Sequence, residues 1–131
     1  GVAGAVAAGA DLVYMGTRFL AAEESMAADG YKQMVIDAGA HDLVISPAIT
    51  GTAASWLKPS LVQAGYDIDD LSKPAVRDYS GDAAAKWRDL WAAGQGLHAV
   101  TAREPVSAIV DELEIGWRGA RERLASFGEA Q

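Results

Sequence analysis

Apolar and polar positions change period several times along the chain, and each change marks an expected element. Val2-Ala3-Gly4-Ala5-Val6-Ala7-Ala8 is Ala-rich, as suits a helix, and Gly9 stands where a helix would end in a left-handed cap. Leu12-Val13-Tyr14-Met15 is an unbroken apolar run, the pattern of a strand covered on both faces in a parallel α/β sheet, and Gly16 ends it. Tyr31, Met34, Val35 and Ala38 follow an i, i+3, i+4, i+7 spacing, which predicts one helical stripe closed by Gly39. The segment His41 to Gly51 has the β-branched content of a strand that ends near Pro47 and turns at Gly51. Thr52 to Asp67 reads as a short helix interrupted near Pro59 and stopped at Gly65, with Trp56, Leu57 and Leu61 as core anchors. Asp67 to Asp82 is a loop-rich connector, and Ala83 to Trp91 reads as a helix with Trp87, Leu90 and Trp91 on one face. A long amphipathic helix is expected from Glu104 to Leu124, with Pro105 at its first position and Val106, Ile109, Val110, Leu113 and Trp117 as its buried stripe.

Composition narrows the class. Half of the residues are apolar and 22% are charged, close to the average for globular chains, so disorder is not the default. A formal net charge of −7 argues against nucleic acid, whose phosphates demand clustered Lys and Arg, and against anionic membranes. There are no cysteines, so disulfides, thiolate metal sites and a Cys nucleophile are excluded. No apolar run approaches the roughly 18 residues of a membrane helix and no signal peptide is visible, so cytoplasm is the expected location. The 131 residues are enough for one domain but too few for a whole (β/α)₈ barrel, which needs roughly 200 or more. The opening Gly1-Val2 lies inside a helical pattern, and the expectation is a carboxy-terminal portion of a longer protein.

Two turns carry candidate chemistry. Helix, Gly, apolar strand and Gly16-Thr17 is the layout of an α/β unit that delivers a strand's carboxyl end to a ligand. A residue without a side chain lets backbone N–H groups approach an anion, and the Thr hydroxyl adds a donor, so phosphate is the natural guest, although a plain strand-to-loop turn fits the same residues. Gly94-Gln95-Gly96 places an amide side chain between two small residues, which suits the edge of a flat ligand; an exposed Gln after a helix cap is the alternative. Other clusters read more simply. Glu23-Glu24-Ser25 complements the dipole at a helix start, and His41 beside Asp42 would point to the opposite face of a strand. The aspartates 67, 69, 70 and 78 lack the order of a calcium loop.

The run GADLVYMGTRFLAAEES resembles the region around the last barrel strand of the nitronate monooxygenase family, the 2-nitropropane dioxygenase-like flavoproteins. ITGTAASWLKPSLVQAGYDIDDL resembles a segment of one of its subgroups, the Trp-rich stretch ending in Ala-Gly-Gln-Gly is similar to a family loop, and the family also ends in a Pro-Val-x-x-(Ile/Leu)-Val helix. The resemblance thus covers nearly the whole chain. It implies an α/β fold, the C-terminal part of an FMN-binding TIM (β/α)₈ barrel with a helical excursion after the last strand. Residues 1–20 would then hold the last barrel helix, strand and phosphate turn, residues 21–82 the excursion, and residues 83–131 the flavin-side loop and C-terminal helices, the last of which should cap the barrel from outside. FMN is the implied cofactor, its phosphate at Met15, Gly16 and Thr17 and its pocket lined by Gly94, Gln95 and Gly96. His98, where many family members have a small residue, is assigned to the substrate side. The family's usual base is a His on an earlier strand, so the catalytic residue is unknown and expected outside this chain, and no metal is implied. The implied activity is oxidation of alkyl nitronates with dioxygen as co-substrate, with a homodimer left open. An FMN-dependent enoyl-acyl-carrier-protein reductase is the alternative within oxidoreductases, and a non-catalytic piece without flavin is the alternative of another class.

Overall fold

The computed structural model describes residues 1–71 and 88–128. The first helix, α1, runs Val2–Ala7 and ends as the glycine predicts. Gly9 has φ 101°, and the Gly9 and Ala10 amides return to the carbonyls of Val6 and Ala5, a left-handed cap that closes the last turn. The next segment departs from expectation. Leu12–Met15 forms no ladder with any described residue, and Leu12 and Tyr14 are almost fully exposed. An apolar run becomes a strand only when a neighbouring backbone accepts its N–H and C=O groups, and none does so here.

A 3₁₀ turn at Thr17–Phe19 leads into a loop and then α2, Asp29–Asp37. Tyr31, Met34, Val35 and Ala38 share one core cluster, as their spacing predicts. Gly39 does not close α2 in a left-handed conformation; its φ is −110°. Its small size serves close approach instead, since a Cβ there would lie 2.7 Å from the His41 ring.

A second 3₁₀ turn at Ala40–Asp42 precedes β1, Leu43–Ser46, which pairs antiparallel with β2, Ala54–Leu57. The register sets Leu43 opposite Leu57 and Val44 opposite Trp56. Residues 54–57 therefore correct the helix expected from Thr52 onward. The reason lies in two adjacent large side chains. On a strand, neighbours face opposite sides, so Leu57 enters a cluster with Val35, Ala93 and Leu97 while Trp56 enters another with Ile49, Leu61 and Leu90. A helix would have placed both within one arc. The Ala92 backbone extends the pairing on the far side of Trp56, through Leu57 N–H to the Trp91 carbonyl and Ala93 N–H to the Ser55 carbonyl.

The helix signal in this stretch begins later, at α3, Lys58–Gln63, with Pro59 in the first turn where no N–H is missed. Gly65, φ 83°, ends it in a second left-handed cap, with the Tyr66 amide donating to the Leu61 carbonyl. The connector expected over Asp67–Asp82 is described only as far as Leu71. The rest of it, and the expected helix at Ala83–Trp91 as far as Trp87, lie outside the described residues.

The last helix, α4, runs Val106–Gly128, starting one residue after Pro105. Of its expected stripe Ile109 is buried and Leu113 and Trp117 are half-buried, whereas Val106 and Val110 are exposed. Among the described residues α4 packs against α1 and the Thr17–Phe19 turn. Among the described residues no helix is long and apolar enough to cross a membrane, and no group of His, Cys, Asp or Glu could hold a metal ion.

Candidate functional site

The turn after Met15 is built by short-range bonds. Phe19 N–H donates to the Gly16 carbonyl and Leu20 N–H to that of Thr17, closing the 3₁₀ turn. The amides of Gly16, Thr17 and Arg18 make no bond to any described residue, as expected of the first residues of a turn whose partners would lie upstream. A parallel construction stands beside it. Gln95–Ala99 is also a 3₁₀ turn, closed by Leu97 N–H to the Gly94 carbonyl, which leaves the Gln95 and Gly96 amides without an acceptor among the described residues.

One hydrogen bond joins the two turns: Gly94 N–H donates to Thr17 Oγ1 at 2.8 Å. Thr17 accepts there, so its own hydroxyl proton remains available for an acceptor outside the turn. A Cβ on Gly94 would stand 3.3 Å from that oxygen, so the junction favours glycine for closeness. A Cβ on Gly16 or Gly96 would meet nothing within 4 Å. None of these three glycines has a positive φ, so their use here is open space and approach.

Both turns open on a cleft of about 540 Å³, within the usual range for small-molecule sites. Met15, Gly16, Thr17, Gly96 and His98 lie on its wall, so residues about 80 positions apart in sequence come together there. Gly94 and Gln95 do not line it; Gly94 touches the site through Thr17, and Gln95 is exposed with its carbonyl 3.2 Å from His98 Nδ1. If Nδ1 carries the proton toward that carbonyl, Nε2 is left as the basic nitrogen.

Several wall residues were not anticipated. α4 supplies Glu112, Leu113, Gly116 and Trp117, and α1 supplies Val2 and Ala3. Arg18 also lines the cleft although it is only 8% exposed. Its Nη2 donates to Glu104 Oε2 at 2.8 Å and Glu112 Oε2 at 2.5 Å, while Nη1 is buried without an acceptor among the described residues. Burial works against the guanidinium charge, but the bonds and charges of Glu112 and Glu104 together outweigh it and raise its pKa. The signal in the sequence was a lone cation set between Thr17 and the apolar Phe19-Leu20-Ala21-Ala22. Its carboxylate partners lie 86 and 94 residues away, beyond the reach of any local pattern.

The other candidate clusters lie elsewhere and have structural roles. His41 and Asp42 touch at 3.2 Å because both stand on a 3₁₀ turn, where the opposite faces expected of strand neighbours do not apply, and His41 is exposed at the hairpin entrance. Glu24 does not serve the helix that follows it in sequence; both carboxylate oxygens accept from Val106 N–H and so cap α4. Lys32 is buried and its Nζ donates to the Ala22 and Glu23 carbonyls, tying α2 to the segment after the Thr17–Phe19 turn.

Residues 1–115 match the sequence model of the family described as nitronate monooxygenase. The chain is 30% identical over 139 aligned positions to the nitronate monooxygenase of Paraburkholderia phytofirmans, covering 97% of this chain and 37% of that protein. Nitroalkane oxidase from Streptomyces ansochromogenes is similar in structure with a TM-score of 0.68 at 30% identity, over 94% of this chain and 37% of that one. A point mutant of FabK from Thermotoga maritima has a TM-score of 0.66 at 25% identity, over 95% of this chain and 40% of that one. The chain spans 28% and 37% of the length of two curated relatives it matches.

Proposed function

The chain belongs to the nitronate monooxygenase family, and from that premise we propose that it forms the phosphate-holding part of an FMN site in a flavin oxidoreductase that oxidises alkyl nitronates with dioxygen. The observation that carries this reading is the Thr17–Gly94 hydrogen bond, which brings the Gly-Thr and Gly-Gln-Gly turns to one cleft. The donor set suits a phosphate: three amides at Gly16 to Arg18 and a threonine hydroxyl proton, none with an acceptor among the described residues, and a buried guanidinium. When bound, the flavin would supply the electron-accepting chemistry, which protein side chains lack.

In this reading Met15, Gly16 and Thr17 hold the phosphate, Gly94 fixes the Thr17 hydroxyl, and Gly96 faces the flavin, while Gln95, expected on the flavin side, stands off the cleft wall and touches it only through its carbonyl on His98. His98 stands on the substrate side, on the wall of the cleft. Leu12–Met15 is a barrel strand, and the exposed Leu12 and Tyr14 are the surfaces that neighbouring barrel elements would cover. The likeness to FabK supports the enoyl-acyl-carrier-protein reductase as a second reading, no better than the first.

The test is the visible spectrum of the full-length protein, with release and identification of any flavin, followed by oxygen uptake with a nitronate. A yellow protein that releases FMN and takes up oxygen supports the reading; NAD(P)H consumption with an enoyl thioester, and no oxygen uptake, would favour the second. Gly16→Val should abolish flavin retention at an unchanged melting temperature of the flavin-free protein, because its side chain meets open space in the protein and only a ligand would collide with it. A colourless protein that binds no added FMN would end the flavoenzyme reading.

A further inference from the structure

Arg18 sits in an arrangement that a purely structural ion pair does not explain. One cation faces two carboxylates, Glu104 and Glu112, which leaves the group with an excess of one negative charge beside the Gly16–Thr17 turn. The two carboxylates are held differently. The Glu104 side chain is 32% exposed, and its carbonyl accepts from the Glu23 amide, which locks this residue to the segment that follows Arg18. Glu112 is 63% exposed, projects from α4 on the cleft wall, and bonds only to Arg18 among the described residues.

The guanidinium fork matches two oxygens of one oxyanion, and Arg18 uses only Nη2 for its carboxylates, while Nη1 is buried with no acceptor among the described residues, so an incoming oxyanion would take the place that Glu112 holds on Nη2. We propose that Arg18 is the cation that draws the ligand's phosphate group to the Gly16–Thr17 turn, and that Glu112 is its exchangeable counter-ion, competing with the phosphate for the same guanidinium. This rests on the reading of the cleft as a phosphate-bearing flavin site. A phosphate dianion placed beside an Arg18 that still held both carboxylates would be repelled, so Glu112 leaves as the phosphate binds, and Glu104 keeps the guanidinium in position. The exchange makes Glu112 a residue that sets selectivity for the phosphorylated ligand and its affinity.

The experiment titrates flavin-stripped full-length protein with FMN and with riboflavin, which has the same ring system and no phosphate, by quenching of flavin fluorescence. Competition predicts that Glu112→Gln tightens FMN binding by about threefold or more, the effect of removing one partly exposed opposing charge, and leaves riboflavin unchanged. Arg18→Gln should weaken FMN binding by roughly tenfold or more, as the loss of a charge-assisted bond to phosphate would, again without changing riboflavin, and Arg18→Lys should restore part of it. A purely structural tie predicts the reverse for Glu112→Gln, weaker or equal binding, and either result overturns the proposal. Equal losses of FMN and riboflavin in Arg18→Gln also overturn it, because a general disturbance of the cleft does not distinguish the phosphate. If the wild-type protein binds both flavins equally, the phosphate site fails while the flavin reading stands; if it binds neither, both fail.

Discussion

At the scale of the residue, partners decide what a side chain contributes. A buried donor without an acceptor costs about 1–3 kcal/mol, and among the described residues Arg18 Nη1 is such a donor, offset by the two carboxylates on Nη2. Tyr31 is the converse, a polar group with its need met. Its hydroxyl donates to the Ala92 carbonyl, and its ring stacks on Trp91 with centroids 5.2 Å apart and planes 8° from parallel. Burial pushes its pKa above the ordinary 10.0. The folded state then holds this proton more tightly than the unfolded state, so the contribution is complete below about pH 10 and is lost as pH rises through the folded-state value. Stability followed from pH 8.5 to 11 should fall, and Tyr31→Phe should flatten that slope while lowering stability at neutral pH through the lost bond. An identical slope in the variant would show that other groups cause the fall. Tyr31 was legible only as one member of a helical stripe, because its acceptor lies 61 residues away.

At the scale of the element, ends and edges mattered more than interiors. The left-handed caps at Gly9 and Gly65 followed from glycine's access to positive φ, and Pro59 in the first turn of α3 from its missing N–H. The start of α4 depended on something no local rule supplies. Val106 N–H is capped by Glu24, 82 residues upstream, so a carboxylate expected to favour one helix dipole favours another. Glu24→Ala should destabilise the protein by about 1 kcal/mol, the usual cost of a lost cap, read as a lower denaturant midpoint at unchanged slope. No change would mean that water replaces the carboxylate at no cost. β2 shows the limit of periodicity, since four residues, Ala-Ser-Trp-Leu, are too few to separate a period of two from one of 3.6, and only pairing with β1 chose between them.

At the scale of the whole molecule, the hairpin separates two apolar clusters and anchors both. Trp56 is fully buried in one of them, with its indole N–H donating to the Ser46 carbonyl. Trp56→Ala should cost about 3–5 kcal/mol, a large share of the 5–15 kcal/mol typical of a whole domain. Equilibrium unfolding measures it, and a loss below about 1 kcal/mol would mean that the pocket collapses around the smaller side chain. The sequence by itself determined what depends on neighbours in the chain: the helix of α1, the apolar stripe of α2, the caps at Gly9 and Gly65, the core role of Trp56, Leu57 and Leu61, and the Gly-Thr and Gly-Gln-Gly turns as candidate ligand sites. Dihedral preference and side-chain period act over a few residues, so a single strand of text contains them. Only the tertiary structure decided that Leu12–Met15 pairs with no described residue, that residues 54–57 form a strand, that α4 walls the cleft, and that Arg18 meets Glu104 and Glu112. Each of these depends on a hydrogen bond, an ion pair or a packed face whose other half lies far away in the chain, and such a partner exists only once the chain has folded.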